Sequence, residues 1–124
     1  MSIIFDTSVW IEYFKGNSEY FQLCQELIEK GEVKTIELIF AELLQGALNK
    51  KETEMIKSYF ELIPKIEIDQ LYILSGEYSQ NEKLFGKGIC LIDACIITAT
   101  IASGSKLWTM DKKIKAFLND KYLF

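Results

Sequence analysis

The stretch "GICLIDACIITATIASG", residues 88–104, constrains this chain more than any other part of it. Between Lys87 and Lys106 it places a single charge, Asp93. A helix that is apolar all round must be covered all round, so the rest of the chain has to supply layers that enclose it. Its most apolar part, residues 89–102, runs to about 14 residues, roughly 21 Å as a helix, against the ~30 Å of a bilayer's hydrocarbon core. With Asp93 and two threonines inside it, it reads as a buried core helix and not as a membrane span. The start of the chain has neither a basic region nor a small-residue cleavage site, so no secretory signal is expected.

The covering layers are legible on either side. Residues 2–5 are a short apolar run ending at Asp6, a buried strand by pattern. Helical stripes follow over 8–15 and 19–30, closed by Gly16 and Gly31. Residues 33–36 read as a second strand, 37–48 as a mostly apolar helix and 53–63 as an amphipathic one stopped by Pro64. Residues 65–68 alternate like a short strand. Asp69 can cap a helix from 70 to about 85, broken by Gly86 and Gly88. After the central segment come a strand over 106–109, a helix over 111–118 and a final strand over 121–124. Strands alternating with helices predict an α/β fold in three α/β/α layers, with a mainly parallel central sheet flanked by helices. The absence of a linker or repeat makes residues 1–124 one expected domain.

Four acids sit oddly in this pattern. Asp6 in "IIFDTS" and Asp111 in "KLWTMDKK" each follow a strand directly, at the edge where open α/β sheets bind ligands. Both also suit helix capping. Glu42 is the one charge between Glu37 and Lys50, on a helix expected to bury it well, with Gly46 leaving room one turn away; facing water on a polar stripe with Gln45 and Asn49 is its plainer reading. Asp93 is expected in the first turn of its helix, where the positive helix end favours an acid by roughly 0.3–1 kcal/mol. Helix electrostatics do not explain why an otherwise buried helix carries it. If the sheet gathers three or four such carboxylates, they repel unless cations neutralise them.

Composition says which cations are available. Of 124 residues none is histidine and all 14 basic residues are lysine, so the chain holds no arginine either. A histidine general base, a histidine-ligated zinc site and an arginine finger are excluded within it. Oxygen ligands suit Mg2+ or Mn2+, and the hydroxyls of Thr7, Ser8 and Thr109 stand where they can orient those ligands. The formal net charge of −4 argues against a broadly basic nucleic-acid binder but not against a nuclease whose acids surround an ion. Three cysteines, Cys24, Cys90 and Cys95, form no paired motif, fit a reducing, cytoplasmic setting and are expected to be buried.

Taken together, "DTSVWIEYF", "AELLQGA", "LIDACIITATIA" and "LWTMDKKIK" resemble the PIN domain family over nearly the full length, most closely VapC-type toxins of bacterial toxin–antitoxin pairs. Single motifs here are weak, but their order, spacing and total length are specific. The resemblance implies an endoribonuclease using Mg2+ or Mn2+, with Asp6, Glu42 and Asp93 as main ligands and Asp111 completing the set directly or through water. Thr7 and Thr109 match the family's hydroxyl positions. It further implies 5′-phosphate and 3′-hydroxyl products, a homodimer and an antitoxin partner. Ile114 stands where the family usually has phenylalanine, and Gln45 where many relatives have arginine, so any arginine contact to RNA falls to lysines. Lys50, Lys51, Lys87, Lys112, Lys113 and Lys115 lie near the acids in sequence and are the backbone-contact candidates. Trp10, Tyr13 and Phe14 are expected in the core or a dimer contact.

Two other classes remain open at this level. A non-catalytic interaction module would keep the fold without using the acids. An Asp-dependent phosphatase would want a second acid two residues after Asp6, where Ser8 stands.

Overall fold

The computed structural model describes residues 1–16 and 18–124. Three parallel strands, β1 (Ile3–Phe5), β2 (Val33–Lys34) and β3 (Lys106–Trp108), form a sheet of order β2-β1-β3. The helices are α1 (Thr7–Phe14), α2 (Ser18–Glu29), α3 (Glu37–Gln45), α4 (Lys50–Leu62), α5 (Leu71–Glu82), α6 (Leu91–Ala102) and α7 (Lys112–Phe117). Helices α1 to α4 pack on one another and on β1, whereas α5 and α6 pack together and α6 lies on β3. This is the expected three-layer α/β/α arrangement.

The first strand is wholly buried because both of its neighbours are strands: Ile3, Ile4 and Phe5 are all inaccessible. An apolar run without alternation is what a central parallel strand requires. On one side of it Trp10 is the hub of an aromatic cluster, with ring centroids 5.2 Å from Phe5, 5.2 Å from Phe40, 5.5 Å from Phe14 and 5.9 Å from Tyr59. Tyr13 joins it through a 2.7 Å hydrogen bond between its hydroxyl and that of Tyr59. Burial is the main cause that pushes the Tyr13 hydroxyl's pKa upward.

The central segment is α6, and six of its residues from Ala94 to Thr100 are buried. Of its threonines, Thr98 has a buried hydroxyl without a hydrogen-bond partner, whereas Thr100 is satisfied within the helix. Thr100 donates to the Ile96 carbonyl at 2.8 Å, and Ser103 to that of Ala99 at 2.6 Å. Among the described residues no helix is long and apolar enough to cross a membrane.

Several expected elements differ. The strands over 65–68 and 121–124 are each reduced to a parallel bridge, Thr35 with Lys65 and Leu107 with Leu123. Ile36 already caps α3, so β2 offers no partner beyond Thr35. At the other edge, Asn119 caps a 3-10 turn (Asp120–Tyr122) that takes up most of the segment. α4 starts three residues earlier than 53, because the Asn49 side chain accepts from the Glu52 amide at 2.9 Å. α5 is capped by neither Asp69 nor a glycine: Gln70 and Lys83, both at left-handed φ (56° and 55°), bound it.

Candidate active site

All four acids are placed by elements that converge on the carboxyl edge of the sheet. Asp6 leaves β1 and caps α1, accepting from the Ser8 amide at 3.1 Å. It is only 5% exposed. Asp111 follows β3 and caps α7, accepting from the Lys113 and Ile114 amides at 2.8 and 3.2 Å. The capping reading of both residues is therefore right, and it fixes where their carboxylates sit. Asp93 lies in the first turn of α6, half-buried. Glu42 lies on α3, which follows β2.

Hydroxyl groups join these acids. Thr109 donates to Asp6 Oδ2 through a buried hydrogen bond, and its own oxygen accepts from the Asp111 amide at 3.0 Å. Thr7 donates to Glu42 Oε1 at 2.8 Å. Ser8 Oγ accepts from the Met110 amide at 3.1 Å, tying the β1 and β3 exits together. One threonine thus bridges the acids after β1 and β3, and another links the β1 exit to α3.

Asp93 is where the electrostatics show. Burial raises its pKa above the usual carboxylate value, and the charges of Asp6 and Asp111 raise it further. A hydrogen bond from the Cys90 thiol, 3.2 Å from Oδ2, works in the opposite direction. Asp93 feels the charges of Asp6 and Asp111, and the ion pairs among the described residues, Lys15 with Glu12 and Lys50 with Glu54, involve none of the three.

Some expectations need correction. Glu42 is half-buried instead of well buried. Gly46 is the C-cap of α3 with φ −89°, and a Cβ there would touch only the Glu42 and Leu43 carbonyls at 3.8 Å, so the position does not require glycine. Cys90 is exposed, unlike Cys24 and Cys95, because it precedes α6 as its cap and stands outside the buried body of the helix. The thiol of Cys24 is pushed up to about 11 by burial, which makes it an inert core group.

Among the described residues, no three Cys, Asp or Glu side chains are gathered tightly enough to hold an ion as they lie. Each acid is turned onto a donor of the chain instead. A carboxylate offers about four lone-pair sites, so one or two such bonds leave each acid with acceptor capacity. The donor set is oxygen-rich, and among the described residues no ion pair joins it to a lysine, which suits a hard divalent cation.

The six candidate lysines separate. Lys87, Lys112 and Lys113 line one groove together with Ala116 and Phe117. Lys50 is paired with Glu54 at 4.0 Å on α4, while Lys51 and Lys115 are exposed and do not line that groove. The sequence reading did not mark Phe85, which is 90% exposed in a 3-10 turn; no periodicity marks a residue in a turn.

A family model described as PIN domain matches residues 3–117. Among solved structures, the chain is similar to one in the crystal structure of VapBC2 from Rickettsia felis bound to a DNA fragment from their promoter. The TM-score is 0.79 at 18% identity, covering 100% of this chain and 98% of that one. No curated protein matches this chain.

Proposed function

This chain belongs to the PIN domain family, and from that premise we propose that it is a metal-dependent endoribonuclease of the VapC toxin type. The observation that carries the reading is the placement of Asp6 and Asp111 at the strand exits, close enough to Asp93 for their charges to disfavour its ionisation, with no ion pair to a lysine at any of the three among the described residues. Such a cluster is unfavourable by itself and becomes favourable around a divalent ion. Asp6, Glu42, Asp93 and Asp111 are the residues that would hold Mg2+ or Mn2+. When bound, the ion supplies Lewis-acid stabilisation of phosphoryl oxygens and a water of lowered pKa.

The chain's own part is positional. Thr109 holds Asp6 and Asp111 in fixed relation, and Thr7 orients Glu42. α6 fixes Asp93 at the edge of a packed core, which excludes water from one side of the site. Ser8 occupies the place where a phosphatase needs its second acid, and its oxygen is spent on the Met110 amide. The likeness to the VapBC2 structure supports an antitoxin partner; a homodimer and a cytoplasmic place of action belong to the same reading.

The test is cleavage of a panel of structured RNAs in Mg2+, Mn2+ or EDTA, with Asp6→Asn and Asp93→Asn alongside. Wild type is expected to cut only with a divalent ion, and both variants to lose at least about 100-fold, the range seen when a charge-stabilising group is removed. Cleavage that survives EDTA, or variants that cut like wild type, would overturn the assignment. Growth arrest on induced expression that disappears in Asp93→Asn would support the toxin reading.

A further inference from the structure

Each acid of the cluster is held by a donor of the chain. Thr109 serves Asp6, Thr7 serves Glu42, and the Lys113 and Ile114 amides serve Asp111. For Asp93 the side-chain donor is the Cys90 thiol, 3.2 Å from Oδ2. Cys90 is exposed, whereas Cys24 and Cys95 are buried in the core.

The place of Cys90 in its helix says what this bond does. Cys90 is the N-cap of α6, with extended backbone at φ −77° and ψ 171°, and Asp93 stands three residues on, in the first turn. An N-cap side chain ordinarily accepts a hydrogen bond from an amide of the first turn. Asp6, Asn49 and Asp111 do so for α1, α4 and α7. Cys90 has no side-chain cap bond of that kind. Its side chain donates instead, from S–H to the Asp93 carboxylate, so the thiol acts on the acid. The bond engages one oxygen and restricts rotation of the carboxylate, which keeps other lone pairs for an ion. Partners that hydrogen-bond a ligating carboxylate fix its orientation and raise the affinity of the site. A neutral thiol is a poor ligand for a hard ion such as Mg2+, whose donors are oxygens.

We propose that Cys90 is a positioning residue of the metal site: its thiol holds the Asp93 carboxylate in the orientation that receives the divalent ion and does not itself bind the ion. The proposal rests on the ribonuclease reading and adds to it a sulfur donor, beside a pair of acids that threonine hydroxyls hold.

Mn2+ affinity of the full chain, read from the loss of the free ion's electron paramagnetic resonance signal, tests this without RNA. Cys90→Ala should weaken Mn2+ binding about 10-fold, the lower end of what losing a ligand's hydrogen-bond partner costs. Cys90→Ser keeps a donor and should bind Mn2+ as wild type does. Mg2+, followed by competition with Mn2+, should lose the same factor in Cys90→Ala, because an oxygen ligand is loosened and no sulfur ligand is removed. RNA cleavage by Cys90→Ala should fall at limiting Mn2+ and recover as Mn2+ saturates.

Wild-type Mn2+ affinity in Cys90→Ala would overturn the proposal. So would equal losses in Cys90→Ser and Cys90→Ala, or a loss confined to Mn2+, since either would make the sulfur a ligand. A lower melting temperature of Cys90→Ala in EDTA with unchanged Mn2+ affinity would reduce Cys90 to a structural cap. If Cys90→Ala binds Mn2+ as wild type does while Asp93→Asn still abolishes Mn2+-dependent cleavage, the role of Cys90 is wrong and the nuclease stands. If the wild type neither binds Mn2+ nor cuts RNA, both fall.

Discussion

Asp93 is the acid whose ionised form the fold disfavours. Its folded-state pKa lies above the unfolded value because of burial first, then the charges of Asp6 and Asp111. A raised acid favours the proton in the folded state, so ionised Asp93 lowers stability above its folded pKa, and the penalty fades as pH falls below the unfolded value. In EDTA at neutral pH, Asp93→Asn should therefore melt higher than wild type, and the gap should close in acid. Melting temperatures across a pH series check this; a variant that melts lower at neutral pH would show that Asp93 is favourably paired instead. The sequence marked Asp93 by contrast with its apolar surroundings, and the structure places it half-buried in the first turn of α6. The sequence could not mark the Cys90 thiol as the donor at 3.2 Å, because a residue just outside a helix escapes the periodicity that organises the rest.

At the scale of elements, the turn between α5 and α6 shows how backbone geometry positions chemistry. Gly88 has φ +76° and lies against the Lys113 side chain; Gly86 has open space around it. A left-handed conformation costs a residue with a Cβ about 1–2 kcal/mol, so Gly88→Ala should lose roughly that much stability and displace Lys113. Gly86→Ala should stay within ±0.5 kcal/mol, as surface changes do. Denaturant titration of the two variants makes the comparison, and equal losses would contradict it. The same scale shows where pattern reading stops. Apolar runs identified β1, α1, α6 and β3 because burial imposes those patterns. The edge segments at 65–68 and 121–124 have strand-like patterns too, but beside the first β2 ends at Lys34, and the second is taken up by the 3-10 turn that Asn119 caps. The length of a neighbour across the sheet is not written in the local sequence.

For the whole molecule, stability and site are built from the same crossings. The Trp10 cluster joins α1, α3, α4 and β1 on one side of the sheet. Its indole nitrogen is buried without a hydrogen-bond partner. Trp10→Ala should cost about 3–5 kcal/mol, and Trp10→Phe distinctly less, since no indole hydrogen bond is lost; comparable losses in unfolding free energy would argue against that account. The acids draw on the same elements: β1 and β3 bring Asp6 and Asp111 to one edge, α3 brings Glu42 and α6 brings Asp93. These positions are far apart along the chain, so the unfolded state cannot present them together. An ion that needs the folded arrangement binds the native state alone and must stabilise it, by about 2.7 kcal/mol at a concentration 100 times its dissociation constant. The melting temperature should therefore climb with Mn2+ or Mg2+ and fall back with EDTA, although no trio of acids is gathered beforehand. In Asp6→Asn the climb should shrink or vanish, because Asp6 is the acid that Thr109 ties to the Asp111 backbone. A melting temperature indifferent to both ions in the wild type would mean that these carboxylates do not bind metal, whatever the assay of cleavage shows.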